Sequence, residues 1–100
     1  MQLPKTIKVG KVTYPVVQPF CLLPPDCAGS VTYGQTIRVA FKMRTGGRLI
    51  TRSERQRSET FWHELTHAIL HDMGSKLEAN EQFVTEFSKR LNNAIHSAKF

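Results

Sequence analysis

Residues 53–73 read SERQRSETFWHELTHAILHDM, and the fold of the whole chain follows from what this run must be. Phe61, Leu65, Ala68 and Ile69 recur at helical spacing, with Trp62 and Leu70 widening the apolar stripe on its flanks. Ser53 or Thr51 supplies an N-cap, Glu54 and Glu59 put negative charge toward the positive end of the helix dipole, and Gly74 is a natural stop after Met73. A helix is therefore predicted here. Inside it lies His63-Glu64-Leu65-Thr66-His67. On a helix the two histidines are one turn apart, about 6 Å between Cβ atoms, so both imidazoles can converge on one ion with Glu64 beside it. That is the spacing of a zinc site carrying its own general base.

Downstream, Leu77, Val84, Phe87, Leu91 and Ile95 share one helical face, widened by Phe83 and Ala94, which predicts a second helix from Lys76 or Leu77 to Ile95. Upstream the period changes to two. Thr6–Val9 and Val12–Val17 flank Gly10-Lys11, a hairpin signal in which Pro15 suggests an edge or irregular strand. Pro19–Ser30, with Pro24-Pro25-Asp26 and Ala28-Gly29-Ser30, reads as a loop. Val31–Met43 alternates again, with Gly34-Gln35 as a turn or bulge, and Gly46-Gly47 ends the extended region. The expected architecture is α+β: a small N-terminal antiparallel sheet of three or four strands, the His-Glu-x-x-His helix, and a second C-terminal helix.

One hundred residues, 40% hydrophobic and 22% charged, suffice for one domain spanning 1–100 and no second one. Apolar runs such as Phe20-Cys21-Leu22-Leu23 fall far short of the roughly 18 residues a membrane span needs. The opening Met1-Gln2-Leu3-Pro4-Lys5 has no apolar segment of the secretory kind, so a cytoplasmic protein is expected. Cys21 and Cys27 fit no zinc-pair spacing and are expected as free thiols. Much of the net charge of +6 is concentrated in Lys42, Arg44, Arg48, Arg52, Arg55 and Arg57. With no reader motif and no interleaved aromatics, a solvated basic face is expected rather than a nucleic-acid site.

His63 and His67 neighbour the Leu65-Ala68-Ile69 face, where burying two imidazoles and a glutamate without partners is costly; one zinc ion would satisfy all three. A catalytic zinc takes three protein ligands and leaves one position for water. Glu81 is the first choice for the third ligand, at the edge of the stripe continued by Val84, Ser88 and Leu91. Glu78, one turn earlier, is the second choice, and Glu86 is on a more solvent-directed face. His63, His67 and His71 span about 12 Å of helix, too far for one tetrahedral site. His71 is expected as a half-exposed residue at the helix end, with an orienting or oxyanion role as the alternative. Asp72 is expected at the surface, with a role in orienting a ligand imidazole as its alternative.

The segment 53–73, an Arg/Glu-rich lead running into HELxHAxLH, resembles the helix of ImmA/IrrE-type zinc metallopeptidases and of short phage-encoded, minimal gluzincins. Gly34–Ala40 looks like the strand bordering their active-site cleft, and residues 1–16 look like the opening hairpin of the phage versions. The resemblance implies His63 and His67 as metal ligands, Glu64 as general base, and a glutamate of the next helix as third ligand to one zinc ion. ImmA-like members often show Glu-Ala-Asn-x-Phe-Ala, whereas Glu78-Ala79-Asn80-Glu81-Gln82-Phe83-Val84 has one residue too many. The short phage type has a glutamate three before a valine, which matches Glu81 and Val84.

The expected activity is hydrolysis of a protein or peptide substrate, held extended along an exposed edge at residues 35–41, in the host cytoplasm if the chain is phage-encoded. A weakly active or inactive zinc protein that docks onto a host protein or nucleic acid is the alternative. A third possibility is a structural four-ligand zinc site drawing in His71 or His96.

Overall fold

Strands β1 (Thr6–Val9) and β2 (Val12–Val17) form the expected hairpin, paired antiparallel from Val9↔Val12 to Thr6↔Pro15. The structure is a computed structural model describing residues 2–22 and 26–100; Pro24 and Pro25 of the expected loop lie outside the described residues. Alternation along β2 buries Tyr14 and Val16 while Thr13, Pro15 and Val17 face out. The Val16 amide donates to the Lys5 carbonyl, so the donor that Pro15 lacks belongs on the opposite side of the strand. Pairing on that side begins only at Val16, which is why a proline is tolerated in a strand with two neighbours.

Strand β3 (Gly29–Thr32) lies on the outside of the sheet, and the chain turns through residues 33–35 into β4 (Thr36–Val39), which inserts between β3 and β2. The order is β1-β2-β4-β3. The sheet is mixed, because β4 runs antiparallel to β3 and parallel to β2. The extended region also continues past Gly46-Gly47: β5 (Lys42–Thr45) and β6 (Arg48–Thr51) form a second hairpin, making six strands in all among the described residues. Gly46 and Gly47 both have positive φ, the requirement of a tight two-residue hairpin turn that side-chain-bearing residues resist.

Helix α1 (Glu54–Asp72) starts at a capping box: the Ser53 hydroxyl accepts from the Gln56 amide, and the Gln56 side chain accepts from the Ser53 amide. It lies between the sheet and the last helix and is buried on nearly every side from Ser58 to Leu70. Phe61, Leu65 and Ala68 meet Val9, Tyr14, Val16, Ile37 and Val39 in the core. Ile69, expected on that stripe, is 42% exposed.

The second helix does not run unbroken from residue 76. A single 3-10 turn, Lys76–Ala79, comes first, and α2 (Glu81–Ser97) begins afresh at Asn80, whose side chain accepts from the Phe83 amide at 3.0 Å. An asparagine that offers its own oxygen to the backbone ends one segment and caps the next. α2 then packs on α1 through Val84, Ser88 and Asn92 rather than through the larger apolar residues. Ser58 and Asn92 hydrogen-bond at 2.9 Å between the helices, and that small, polar contact lets them approach closely. Phe87 and Ile95 stay half exposed, and Ile69, Met73, Phe83 and Phe87 line a shallow apolar groove. No helix among the described residues is long and apolar enough to cross a membrane.

Candidate metal centre

The i, i+4 spacing on α1 places the His63 and His67 rings with centroids 5.0 Å apart, on the side facing the start of α2. Because α2 restarts at Asn80, Glu81 occupies its first position and reaches back across both rings. Its two carboxylate oxygens lie 3.1 Å from His63 Nε2 and 2.6 Å from His67 Nε2. One donor atom from each of the three residues lies within 4.8 Å of the others. The Glu81 side chain is 69% exposed, so the cluster opens to solvent.

Glu64 faces the same region from within, 8% exposed. Burial pushes its carboxyl up to about 7, the Glu81 charge adds to that rise, and His67 opposes it. Burial likewise depresses His63, with Glu81 working against the depression and His67 with it. Beside His63 and Glu64 a cleft of about 380 Å³ is lined by Cys27, Ala28, Gly29, Glu59, Thr60 and Ser88. Its sheet wall is β3. A Cβ at Gly29 would sit 2.4 Å from the Thr60 methyl and 3.3 Å from Glu64 Cγ, so only glycine lets the strand lie this close to the helix.

No family model, curated protein or solved structure matches the chain. Two imidazoles and one carboxylate are a donor set known for catalytic zinc. In a tetrahedral zinc site, donor atoms stand about 3.3 Å apart along each edge; here one donor from each residue lies within 4.8 Å of the others, so a small inward shift of the side chains would close them on one ion. The Glu81 carboxylate only accepts, and an imidazole lone pair beside it at 2.6 Å would be repelled. A positive charge between them, a proton or a metal ion, resolves that conflict. The residues present fit a zinc ion.

Glu81, not Glu78, joins the histidines. Glu78 does something else: its backbone carbonyl accepts from His67 Nδ1 at 2.7 Å, and its carboxylate accepts from the Tyr33 hydroxyl at 2.7 Å. His71 is exposed and stacks on Tyr33, while His96 Nδ1 bonds the Asn92 carbonyl at 2.8 Å. Neither belongs to the metal-competent group among the described residues. Asp72 is exposed, at the end of α1 against the β1–β2 turn. The edge expected at residues 35–41 is not free, because β4 is paired on both sides; the outer strand beside the cleft is β3.

Two contributors went unseen in the sequence. Arg52, assigned there to a solvated basic face, is 9% exposed and donates to the Ala28, Ala40 and Gln56 carbonyls and, at 2.7 Å, to the Thr60 hydroxyl. It ties the approach to β3, the end of β4 and the first turns of α1 into one wall of the cleft. No sequence signal separates it from its exposed basic neighbours. Tyr33 lies 45 positions from Glu78 and was visible only as a strand residue.

Proposed function

We propose that this chain is a minimal zinc metallopeptidase of the ImmA/IrrE-like gluzincin kind, in which His63, His67 and Glu81 hold one zinc ion and Glu64 is the general base. The convergence of the Glu81 carboxylate on both motif histidines carries this proposal. Held by His63, His67 and Glu81, a zinc ion would supply Lewis acidity for the scissile carbonyl and would lower the pKa of water toward about 7. Glu64, beside the two histidines, would take the proton of the attacking water and return it to the leaving amine. Burial of His63 favours its neutral, ligating form.

An extended peptide would add to the outer edge of β3, the strand that walls the cleft, with the cleft beside His63 and Glu64 taking a side chain. The free Cys21 and Cys27 suit a reducing compartment, and the proposed setting is the cytoplasm. The test is zinc stoichiometry together with hydrolysis of a peptide library by the wild-type chain and Glu64→Gln. Both should bind one zinc ion, and only the wild type should turn over. A fully active Glu64→Gln variant would overturn the assignment of the base.

A further inference from the structure

We propose that Tyr33 is a positioning residue for the metal centre, acting on His67 through Glu78. The inference rests on the metal-centre proposal above. A backbone carbonyl only accepts, so the 2.7 Å contact with Glu78 puts the imidazole proton on His67 Nδ1 and leaves the Nε2 lone pair for the ion. That carbonyl belongs to the short 3-10 turn Lys76–Ala79, in which no residue is buried. A turn of this kind, lacking a packed side chain of its own, needs an outside hold if its carbonyl is to keep one direction. The Tyr33 hydroxyl provides it, donating to the Glu78 carboxylate at 2.7 Å.

Tyr33 is in turn anchored to the core. Its ring stacks on His71 with centroids 3.9 Å apart and planes within 3°, and the next residue, Gly34, donates its amide to the hydroxyl of Tyr14, which is 2% exposed. A continuous chain of contacts thus runs from strand β2 through the β3–β4 turn to a metal ligand on α1. The same anchor bears on the third ligand, because Asn80 and Glu81 follow Glu78 directly. It also engages the carboxylate of Glu78, the second choice for third ligand in the sequence. Burial, and after it the Glu78 hydrogen bond, pushes the Tyr33 hydroxyl well above its ordinary value, so it remains a donor at neutral pH.

Tyr33→Phe removes the hydroxyl and keeps the ring on His71. Zinc affinity is measured by competition with a chromophoric chelator, alongside melting of the metal-free chain and the visible spectrum of the cobalt-loaded protein. The expected result is a roughly ten- to hundredfold weaker zinc Kd with an altered cobalt spectrum, while the metal-free melting temperature stays within a few degrees. Glu78→Ala should weaken binding similarly, and the double variant should be no worse than the weaker single one. Wild-type zinc affinity in Tyr33→Phe, or a loss no larger than the loss of metal-free stability, overturns the positioning role and leaves the metal centre standing. A wild-type chain that takes up no zinc overturns both.

Discussion

Replacing Glu64 by Gln in the metal-free protein isolates the cost of burying that carboxylate. Glu64 is 8% exposed and its carboxyl is pushed from the ordinary 4.5 to about 7, first by burial. The folded chain therefore holds this proton more tightly than the unfolded chain does. The resulting stabilisation is complete below about pH 4.5 and is withdrawn as pH rises through about 7. A shift of that size is worth up to about 3 kcal/mol. His63 is depressed and works in the opposite sense, adding stability as pH rises, but it is common to both proteins and cancels in their difference. In the presence of chelator, the two should melt together near pH 4.5, and Glu64→Gln should become the more stable as pH approaches 8. In a chain of this length the gap should open by about 10 °C or more. Thermal melts at half-unit pH steps measure it directly. Parallel curves across that range would refute the claim that a buried, charge-averse carboxyl sits beside the histidines.

The wall of the cleft offers two further tests. Gly29→Ala places a methyl 2.4 Å from the Thr60 methyl and 2.9 Å from the Arg38 carbonyl, so β3 must move off α1; a loss of about 1–3 kcal/mol in chemical denaturation is expected, partly recovered by Thr60→Ser. Unchanged stability in Gly29→Ala would show that the strand does not pack against the helix as described. Arg52→Met should cost about 2–3 kcal/mol by leaving the Ala40 carbonyl and the Thr60 hydroxyl without their donor. Arg52→Lys should not restore it, since one ammonium cannot span four acceptors; a lysine variant as stable as the wild type would remove Arg52 from this role.

Local chemistry alone was enough for several features. The cap at Ser53, the Gly10 turn and the i, i+4 pair His63 and His67 depend on residues a few positions apart, where spacing and backbone preference act without help from the rest of the chain; Gly46-Gly47, expected to end the extended region, instead turns β5 into β6. The α+β order follows from the change of period between residues 6–43 and 53–95. Tertiary packing decided the rest. Which strands of the sheet lie outermost depends on how the chain returns after β2, and that put β3 rather than residues 35–41 at the edge beside the cleft.

The choice of Glu81 over Glu78 turned on one capping side chain, Asn80, which broke the expected helix and rotated the two carboxylates apart. Helical periodicity identified an apolar face on α2, yet the contact with α1 ran along Val84, Ser88 and Asn92, because close approach favours small and mutually hydrogen-bonded residues over large ones. Arg52 and Tyr33 acquired their roles only when backbone carbonyls and a distant carboxylate were brought to them. The determinants within a turn or two of helix were written in the sequence, whereas those that join residues tens of positions apart depend on packing that no local pattern encodes.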